Sequence, residues 1–480
     1  MDKSVNTKGG VRVRMAPSPT GTLHVGTART ALFNYLFARH HKGTYVMRIE
    51  DTDRERSDKK LEENITEGLK WLGLEWDEFY RQSERMGVYE QYLRKLLEED
   101  KAFYCWHTKD ELQVEREKQM KSKEAPRHIC SYRDEDIRDE KEKIKRSIIR
   151  FKNNTRGDIE FTDLVRGKVK FDAQNLGDFS IARSINDPLY NFAVVVDDNE
   201  MQITHVMRGE DHISNTPRQI LILEALNWER PQYAHIPLLL GSDKSKLSKR
   251  HGATSVSEYK DMGYLPAAMF NFLALLGWHP KDDEKEIMNK EQIIEEFMIS
   301  DVQQSGAIFD IEKLNWMNAN YIRSLKLKEF RQLCMPYLEN ANLIDKKTDN
   351  DWLEKILGME QERIKKLSDI VDAVKFIFED INYNSELLIW RKSDKKDAAE
   401  QLRELNAIIE KIDEKNWNKD ELEKIIMPHA QEKGDRGRVL WPLRVAVSGK
   451  KASPGPFEIM EVLKKKKVLS RIDNAIKKLQ

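Results

Sequence analysis

The chain has 480 residues, too many for one compact core and enough for about two to four domains. Hydrophobic residues make up 39 % and charged residues 34 %, so much of the surface is wetted helix, and 82 basic residues cancel 82 acidic ones. Any nucleic-acid contact must therefore come from local patches rather than a global field. Three cysteines, Cys105, Cys130 and Cys334, are too few for a disulfide framework and fit a reducing cytoplasm. The sequence carries no signal-peptide pattern and no apolar run long enough to span a bilayer.

The alternating segment 11–15 predicts a first strand. It runs through the Pro/Gly-patterned turn Ala16-Pro-Ser-Pro-Thr-Gly-Thr-Leu-His24-Val-Gly26-Thr27 into a helix carrying Ala28, Leu32, Phe33, Leu36 and Phe37. His24 and Gly26 thus sit where a strand becomes a helix. Free backbone N–H groups and the positive helix end can hold a phosphate there, and glycine lets it approach the main chain. A second strand over 45–49 and a helix over 61–72 give the rhythm of a parallel doubly wound α/β sheet.

Residues 109–145 are dominated by charge and are followed by strand-like pieces at 148–151 and 169–171, which predicts an inserted α+β domain. Buried-strand patterns return at 192–196 and 201–207, then a helix over 218–226 and an apolar run, 236–241. The run leads into Lys246-Leu-Ser-Lys249-Arg250-His-Gly252, whose cations suit the charge of a triphosphate. Beyond about residue 289 the periods are helical, notably 351–378, 398–412 and 456–479, and predict an all-α C-terminal region. The expected domains are 1–90 with 185–240, an insertion at 91–184, a region 241–325 holding the lysine loop, and 326–480. A basic patch, Lys464-Lys-Lys-Lys467 with Arg471, Lys477 and Lys478, reads as a solvated helix face in preference to an RNA contact.

His24-Val-Gly26-Thr27 and Lys246-Leu-Ser-Lys249-Arg250 resemble the two class-defining motifs of class I aminoacyl-tRNA synthetases. The segments Arg14-Met-Ala-Pro-Ser-Pro-Thr-Gly21, Arg48-Ile-Glu-Asp-Thr-Asp53, Tyr190-Asn-Phe-Ala-Val-Val-Val-Asp-Asp198 and Arg208-Gly-Glu-Asp-His-Ile213 are more specific. They resemble bacterial-type glutamyl-tRNA synthetases, and the likeness runs over nearly the whole chain to Leu443-Arg-Val-Ala-Val-Ser-Gly449. The glutaminyl branch usually reads Pro-Pro-Glu-Pro-Asn-Gly where this chain has Ala16-Pro-Ser-Pro-Thr-Gly21, and usually ends in β-barrels. The resemblance implies a Rossmann-like catalytic domain, an inserted acceptor-end domain, a stem-contact region and a helical anticodon-binding domain.

The implied activity is ATP-dependent attachment of L-glutamate to tRNA(Glu) through a glutamyl-adenylate, with release of pyrophosphate and AMP, by a monomer. The resemblance assigns glutamate to Arg14, Ala16, Ser18, Glu50, Tyr190 and Arg208, with the arginines on its side-chain carboxylate and Glu50 on its ammonium. ATP falls to His24, Gly26, Asp211, Lys246, Ser248 and Lys249, with His24, Lys246 and Lys249 serving catalysis and Mg2+ bridging the phosphates. The run Asn186-Asp-Pro-Leu189 before Tyr190 departs from the family pattern. Arg363 lies in a segment resembling the anticodon-reading region; an exposed helix arginine is the competing reading.

Cys105-Trp-His107 and His128-Ile-Cys130 form two x-separated pairs of ligand type. Family members that bind zinc here use Cys-x-Cys followed by Cys-x-His. This chain puts His107 second, Cys130 near the third place and Tyr132 where the last His falls, so an empty cluster is favoured over zinc on Cys105, His107 and Cys130. Rival functions are a relaxed enzyme that also charges tRNA(Gln), a paralogue restricted to that tRNA, and a non-catalytic tRNA-binding paralogue.

Overall fold

The computed structural model describes residues 10–53, 55–123, 127–135, 144, 147–282 and 284–480, so part of the charged segment 109–145 lies outside the described residues. The chain divides into two compact units, one reaching to Lys260 and including Pro266–Leu314, the other Asp261–Leu265 with Asn315–Gln480.

In the first unit β1 (Arg12–Met15), β2 (Thr44–Ile49) and β3 (Glu78–Arg81) form a parallel sheet in that order, Arg14 opposite Val46 and Met47 opposite Phe79. The connections are α1 (Val25–His40) and α2 (Lys59–Trp71). Helix α1 is buried on nearly every side, because Ala, Leu, Phe and Tyr fill its positions almost without alternation.

Helix α3 (Met86–Glu98) leads to an antiparallel sheet of β4 (Ala102–Cys105), β5 (Ile148–Phe151), β8 (Phe179–Ser184) and β9 (Asp187–Pro188), in that order. Between β4 and β5 the described residues hold α4 (Lys109–Lys121), started by a reciprocal cap between Thr108 and Glu111. Strands β6 (Asp158–Asp163) and β7 (Gly167–Asp172) form a hairpin, as the expected strand at 169–171 required. This hairpin joins a second sheet, β10 (His205–Gly209), β11 (Gln232–Ile236), β6, β7, through the parallel pair Tyr233–Asp163.

The two parallel runs adjoin at β1 and β10: Thr204 donates its amide to the Arg12 carbonyl at 2.9 Å, and Asn34 of α1 donates to the Met207 carbonyl at 3.0 Å. The resulting succession β3-β2-β1-β10-β11 is that of a doubly wound domain, with the crevice for ligands beyond the carboxyl ends of β1 and β10.

Residues 192–196 are not a strand. They lie in α5 (Tyr190–Glu200), buried from Phe192 through Asp198. A short continuous apolar run looks the same as a buried strand or a helix fully enclosed by its neighbours, and here tertiary packing decides. Of 201–207, only the end is strand; Met201 to Thr204 turn, with Gln202 at φ +54°. Helix α6 (Thr216–Ala225) matches the helix expected at 218–226. Pro237 separates β11 from the short β12 (Leu239–Leu240), which pairs with β13 (Ala307–Ile308). Helices α7 (Val256–Asp261), α8 (Pro266–Leu275) and α9 (Lys290–Glu296) follow.

Helix α10 (Ile311–Ser324) runs across the division into the second unit. That unit is helical throughout its described residues: α11 (Leu327–Asn340), α12 (Asn350–Gly358), α13 (Asp369–Phe378), α14 (Lys395–Ile409), α15 (Lys419–Glu432), α16 (Arg436–Ser448) and α17 (Pro456–Leu479). The single helix expected over 351–378 is broken between α12 and α13, and α17 is interrupted at Lys464, whose φ is +63°.

The basic patch is divided: Lys464, Lys466, Lys477 and Lys478 are exposed, as a solvated face requires, whereas Lys465, Lys467 and Arg471 are drawn inward. Lys467 donates to the Ile377 carbonyl at 2.9 Å, and Lys465 to Glu410 and Ile412 at 2.9 and 2.8 Å. Buried Arg471 donates to Val447, Phe376 and Glu379 at 2.5, 2.6 and 3.0 Å. These cations close the carbonyl ends of α13, α14 and α16, which a helix leaves without internal partners.

Candidate active site

The turn after β1 ends at His24, the N-cap of α1. Its Nδ1 accepts the backbone N–H of Gly26 at 3.1 Å. The imidazole must therefore be neutral with its proton on Nε2, the only atom left to donate. Burial, and then the Lys246 ammonium, hold its pKa below the usual 6.5 against the opposing Glu258 carboxylate. A Cβ on Gly26 would stand 3.3 Å from Nδ1 and crowd the ring.

The lysine loop is tied to this turn. Val25 donates to the Thr254 carbonyl and Val256 to that of Leu23, both at 2.9 Å, making an antiparallel bridge between His24 and Ser255. Lys246 bridges Leu240, and its Nζ lies 3.7 Å from Asp211 Oδ2. Two sequence stretches more than two hundred residues apart thus frame one cavity of about 760 Å³.

Its deep wall is charged. Arg14 is engaged by Asp198 through Nε (3.1 Å) and Nη2 (3.3 Å). Arg48, fully buried, donates Nη1 to Asp198 at 2.7 Å and Nη2 to Glu50 Oε1 at 3.0 Å. Burial would raise the Asp198 pKa, but Arg14 and Arg48 outweigh it and hold the carboxyl below its ordinary value. For Glu50 burial wins over the same two arginines, and its pKa is raised. Arg208 spends Nε on His235 and Nη2 on Thr216 Oγ1, while Nη1 is buried without a partner. Tyr190 Oη lies 3.0 Å from Nδ1 of His212, whose pKa burial and Arg208 push down to about 4.

The cavity collects most of the residues singled out in the sequence. Arg14, Ala16, Ser18, Glu50, Tyr190 and Arg208 line it, and so do His24, Gly26, Asp211 and Lys246. Ser248 and Lys249 do not: Lys249 opens the exposed turn Lys249–His251, and the Ser248 amide is held by His251 Nδ1 at 3.1 Å. Arg363 borders a separate hollow in the second unit with Lys450, its Nε paired to Glu360 at 2.9 Å.

Sequence reasoning missed the wiring behind the wall. Asp198 and Arg48 stood in the quoted segments, and an acidic pair closing an apolar run was the available signal. His212 likewise stood in the quoted segment 208–213, whereas His235 and Asp163 had no local signal.

Cys105, His107, His128 and Cys130 meet at the end of β4, their ligand atoms all within 4.8 Å of one another. His128, absent from the expected ligand trio, is the fourth member. Cys105 Sγ lies 3.5 Å from His107 Nδ1 and from His128 Nε2, and Cys130 Sγ is 3.6 Å from His107 Nδ1. Glu115 binds the far nitrogen of His128 at 2.5 Å and the Ile129 amide at 2.8 Å. Tyr132 is no ligand: it stacks on Trp106 with ring centres 3.8 Å apart.

Residues 10–316 match the family model of the class I tRNA synthetase (E and Q) catalytic domain, and 329–476 match an anticodon binding domain. A glutamate–tRNA ligase of Desulforamulus reducens is 42 % identical over 97 % of this chain and all of its own length. One of Aquifex aeolicus is 44 % identical over 98 % of this chain and 99 % of its own. The crystal structure of a glutamate tRNA ligase from Elizabethkingia meningosepticum, in complex with its amino acid, superposes with a TM-score of 0.87 at 32 % identity. The match covers 98 % of this chain and 100 % of that one. On this full-length likeness and the cavity that joins both motifs, the chain belongs to the class I tRNA synthetases of the glutamate and glutamine branch.

Proposed function

We propose that the protein attaches L-glutamate to tRNA(Glu) at the cost of ATP. The observation that carries this reading is that one cavity holds both the His24 and Lys246 motifs and a wall of buried Arg14, Glu50 and Arg208 with half-buried Tyr190. That wall presents cations for a side-chain carboxylate and an acceptor for an ammonium group. Glutamine offers Arg208 Nη1 only a neutral amide oxygen, so the doubly charged pair that a carboxylate makes is replaced by a weaker charged–neutral bond.

In the first step a glutamate α-carboxylate oxygen attacks the α-phosphorus of ATP and pyrophosphate departs, leaving the glutamyl-adenylate. No protein nucleophile is required, so this chain's residues position and neutralise. His24 Nε2–H donates to the phosphates, and the positive N-terminal end of α1 lies beside them. Lys246 takes up negative charge developing on the leaving pyrophosphate, and Lys249 joins it from the turn just outside the cavity. Arg48 holds Glu50 Oε1 and leaves Oε2 for the substrate ammonium. In the second step the tRNA terminal ribose 2′-hydroxyl attacks the adenylate carbonyl and AMP leaves. Magnesium enters as part of the ATP substrate, because among the described residues no group of three carboxylates is placed to cage it.

The inserted segment 91–184 is assigned to the acceptor end and the helical unit to the anticodon, with Arg363 beside it. The Cys105, His107, His128 and Cys130 quartet suits one tetrahedral zinc. Two thiolates and two imidazoles are a common structural set, and three of the six ligand–ligand edges, at 3.5–3.6 Å, agree with metal–ligand bonds of about 2.0–2.3 Å, the others lying within 4.8 Å. A zinc ion there would clamp β4 to the 127–130 segment. Three free thiols are in keeping with a reducing compartment, and the cytoplasm is the location this reading supports. No helix among the described residues is long and apolar enough to cross a membrane.

Charging of purified glutamate and glutamine tRNAs, side by side, tests the reading. Transfer to the glutamate tRNA alone supports a discriminating enzyme, and transfer to both a relaxed one. Failure to form any adenylate with glutamate and tRNA present sinks the proposal in favour of a binding paralogue.

A further inference from the structure

Behind the cavity wall a chain of buried polar groups runs from the inserted hairpin to Arg208. Asp163, the last residue of β6, places Oδ2 2.6 Å from His235 Nδ1 on β11, and both side chains are wholly inaccessible. The Asp163 carboxylate is itself fixed, because Oδ1 accepts the amides of Val165 (2.9 Å) and Arg166 (2.8 Å), and the His235 amide donates to it as well. With its proton on Nδ1, His235 turns the Nε2 lone pair to Arg208 Nε at 3.2 Å, with Thr216 Oγ1 at 3.1 Å. Arg208 Nη2 donates to Thr216 Oγ1 at 2.8 Å. Two sides of the guanidinium are thereby occupied. Nη1, on a side chain that lines the cavity, is the buried donor left open.

We propose that Asp163 and His235 are positioning residues for the substrate-binding arginine: Asp163 selects the Nδ1–H tautomer of His235, and His235 holds Arg208 with Nη1 turned to the glutamate side-chain carboxylate. The inference rests on the glutamate reading for its ligand, though not for its geometry.

The physical need for Asp163 is specific. A neutral histidine carries its single proton on either nitrogen. With the proton on Nε2, a donor would face the Arg208 Nε–H donor, and the fork would have to swing away. An orienting carboxylate prevents this, just as it fixes the imidazole in a catalytic triad, where an amide in its place permits the wrong tautomer. His235 also stays uncharged: burial and Arg208 lower its pKa against the raising influence of Asp163. The arrangement explains why the β6–β7 hairpin pairs with β11 of the catalytic sheet. It delivers one carboxylate to the back of the substrate pocket.

The test uses the full-length protein with 15N-labelled histidine and tRNA-supported pyrophosphate exchange. The wild type is expected to show His235 protonated at Nδ1 and bare at Nε2, the resonance being assigned by its loss in His235→Gln. In Asp163→Asn the Nε2–H form appears and the glutamate KM rises roughly tenfold, the weight of a hydrogen bond to a charged group, while the ATP KM holds. His235→Gln rescues, because its amide can donate to Asp163 and accept from Arg208 at once; His235→Leu does not. An Nε2–H tautomer in the wild type overturns the proposal. So does an Asp163→Asn protein, melting like the wild type, with an unchanged glutamate KM. Equal rises in the glutamate and ATP KM values would mark a general packing role and overturn it too. A wild type inactive with glutamate refutes the substrate assignment instead, and the tautomer measurement still decides the geometry.

Discussion

His24 Nδ1 accepts the amide of Gly26 two residues later, so the residue that caps α1 is also the one that offers Nε2–H to the cavity. Protonating Nδ1 would set donor against donor and tear the cap. The active form is therefore neutral, and since its pKa lies below 6.5 the acid limb of kcat/KM is expected below that value. Activity is retained above the limb and lost as pH falls through it. Lys246 lowers this pKa and Glu258 raises it, so Lys246→Ala moves the limb up and Glu258→Gln moves it down. Pyrophosphate exchange from about pH 5 to 8 reads both shifts.

Arg48 is fully enclosed and serves Asp198 and Glu50, with Asp197 Oδ2 3.7 Å from its Nε. Arg48→Met leaves three buried carboxylates without their shared cation. Removing one partner from a buried ion group costs about 3–5 kcal/mol. Denaturant unfolding is expected to show a loss of this order. A near-wild-type midpoint would mean that the group is not a structural keystone.

Lys249 sits on an exposed turn outside the cavity, although the loop it belongs to is pinned to His24 through Ser255. Acting on charge that develops as pyrophosphate leaves, it should affect kcat more than the glutamate KM. Lys249→Ala is expected to slow activation by roughly 100- to 1,000-fold. Single-turnover formation of the adenylate measures this, and a rate within a factor of two of wild type removes the role.

What the sequence made legible was local. The strand, turn and helix around His24 are contiguous, so their order and chemistry could be read from periodicity and a Pro/Gly run. The apolar run 192–196 misled because enclosure on every side erases the period that separates helix from strand. Nothing near Arg14 in sequence announces its partner Asp198, 184 residues away. A separation of 72 positions hid Asp163 and His235 from each other in the same way. His128 was visible, but its order in the quartet reverses the spacing by which such sites are usually sought. In the lysine run, Lys464 and Lys466 stay exposed, but composition could not show the carbonyls at the ends of other helices that draw in Lys465 and Lys467.

Arg471 gives that last point a test. It satisfies three carbonyls at once, and Arg471→Met strands buried acceptors at about 1–3 kcal/mol each. The melting temperature is expected to fall while the tRNA KM, measured well below the new midpoint, holds. Weaker tRNA binding at unchanged stability would restore the patch as an RNA contact.

Glu115 tests the metal quartet from outside it. Its carboxylate takes His128 Nδ1–H, which leaves the Nε2 lone pair facing Cys105 and fixes the ring. Protein purified without added metal is expected to hold one zinc by elemental analysis. Cobalt substituted for it should give the intense bands of a tetrahedral dithiolate site. Glu115→Gln keeps the four ligands but weakens their orientation, so zinc affinity in a chelator competition should drop roughly 10- to 100-fold. Stripping the metal frees two thiols that repel when ionised, loosening β4 from the 127–130 segment and exposing it to proteolysis. Protein that carries no zinc after reconstitution, and cuts no faster with chelator than without, would leave the quartet as a hydrogen-bonded cluster only.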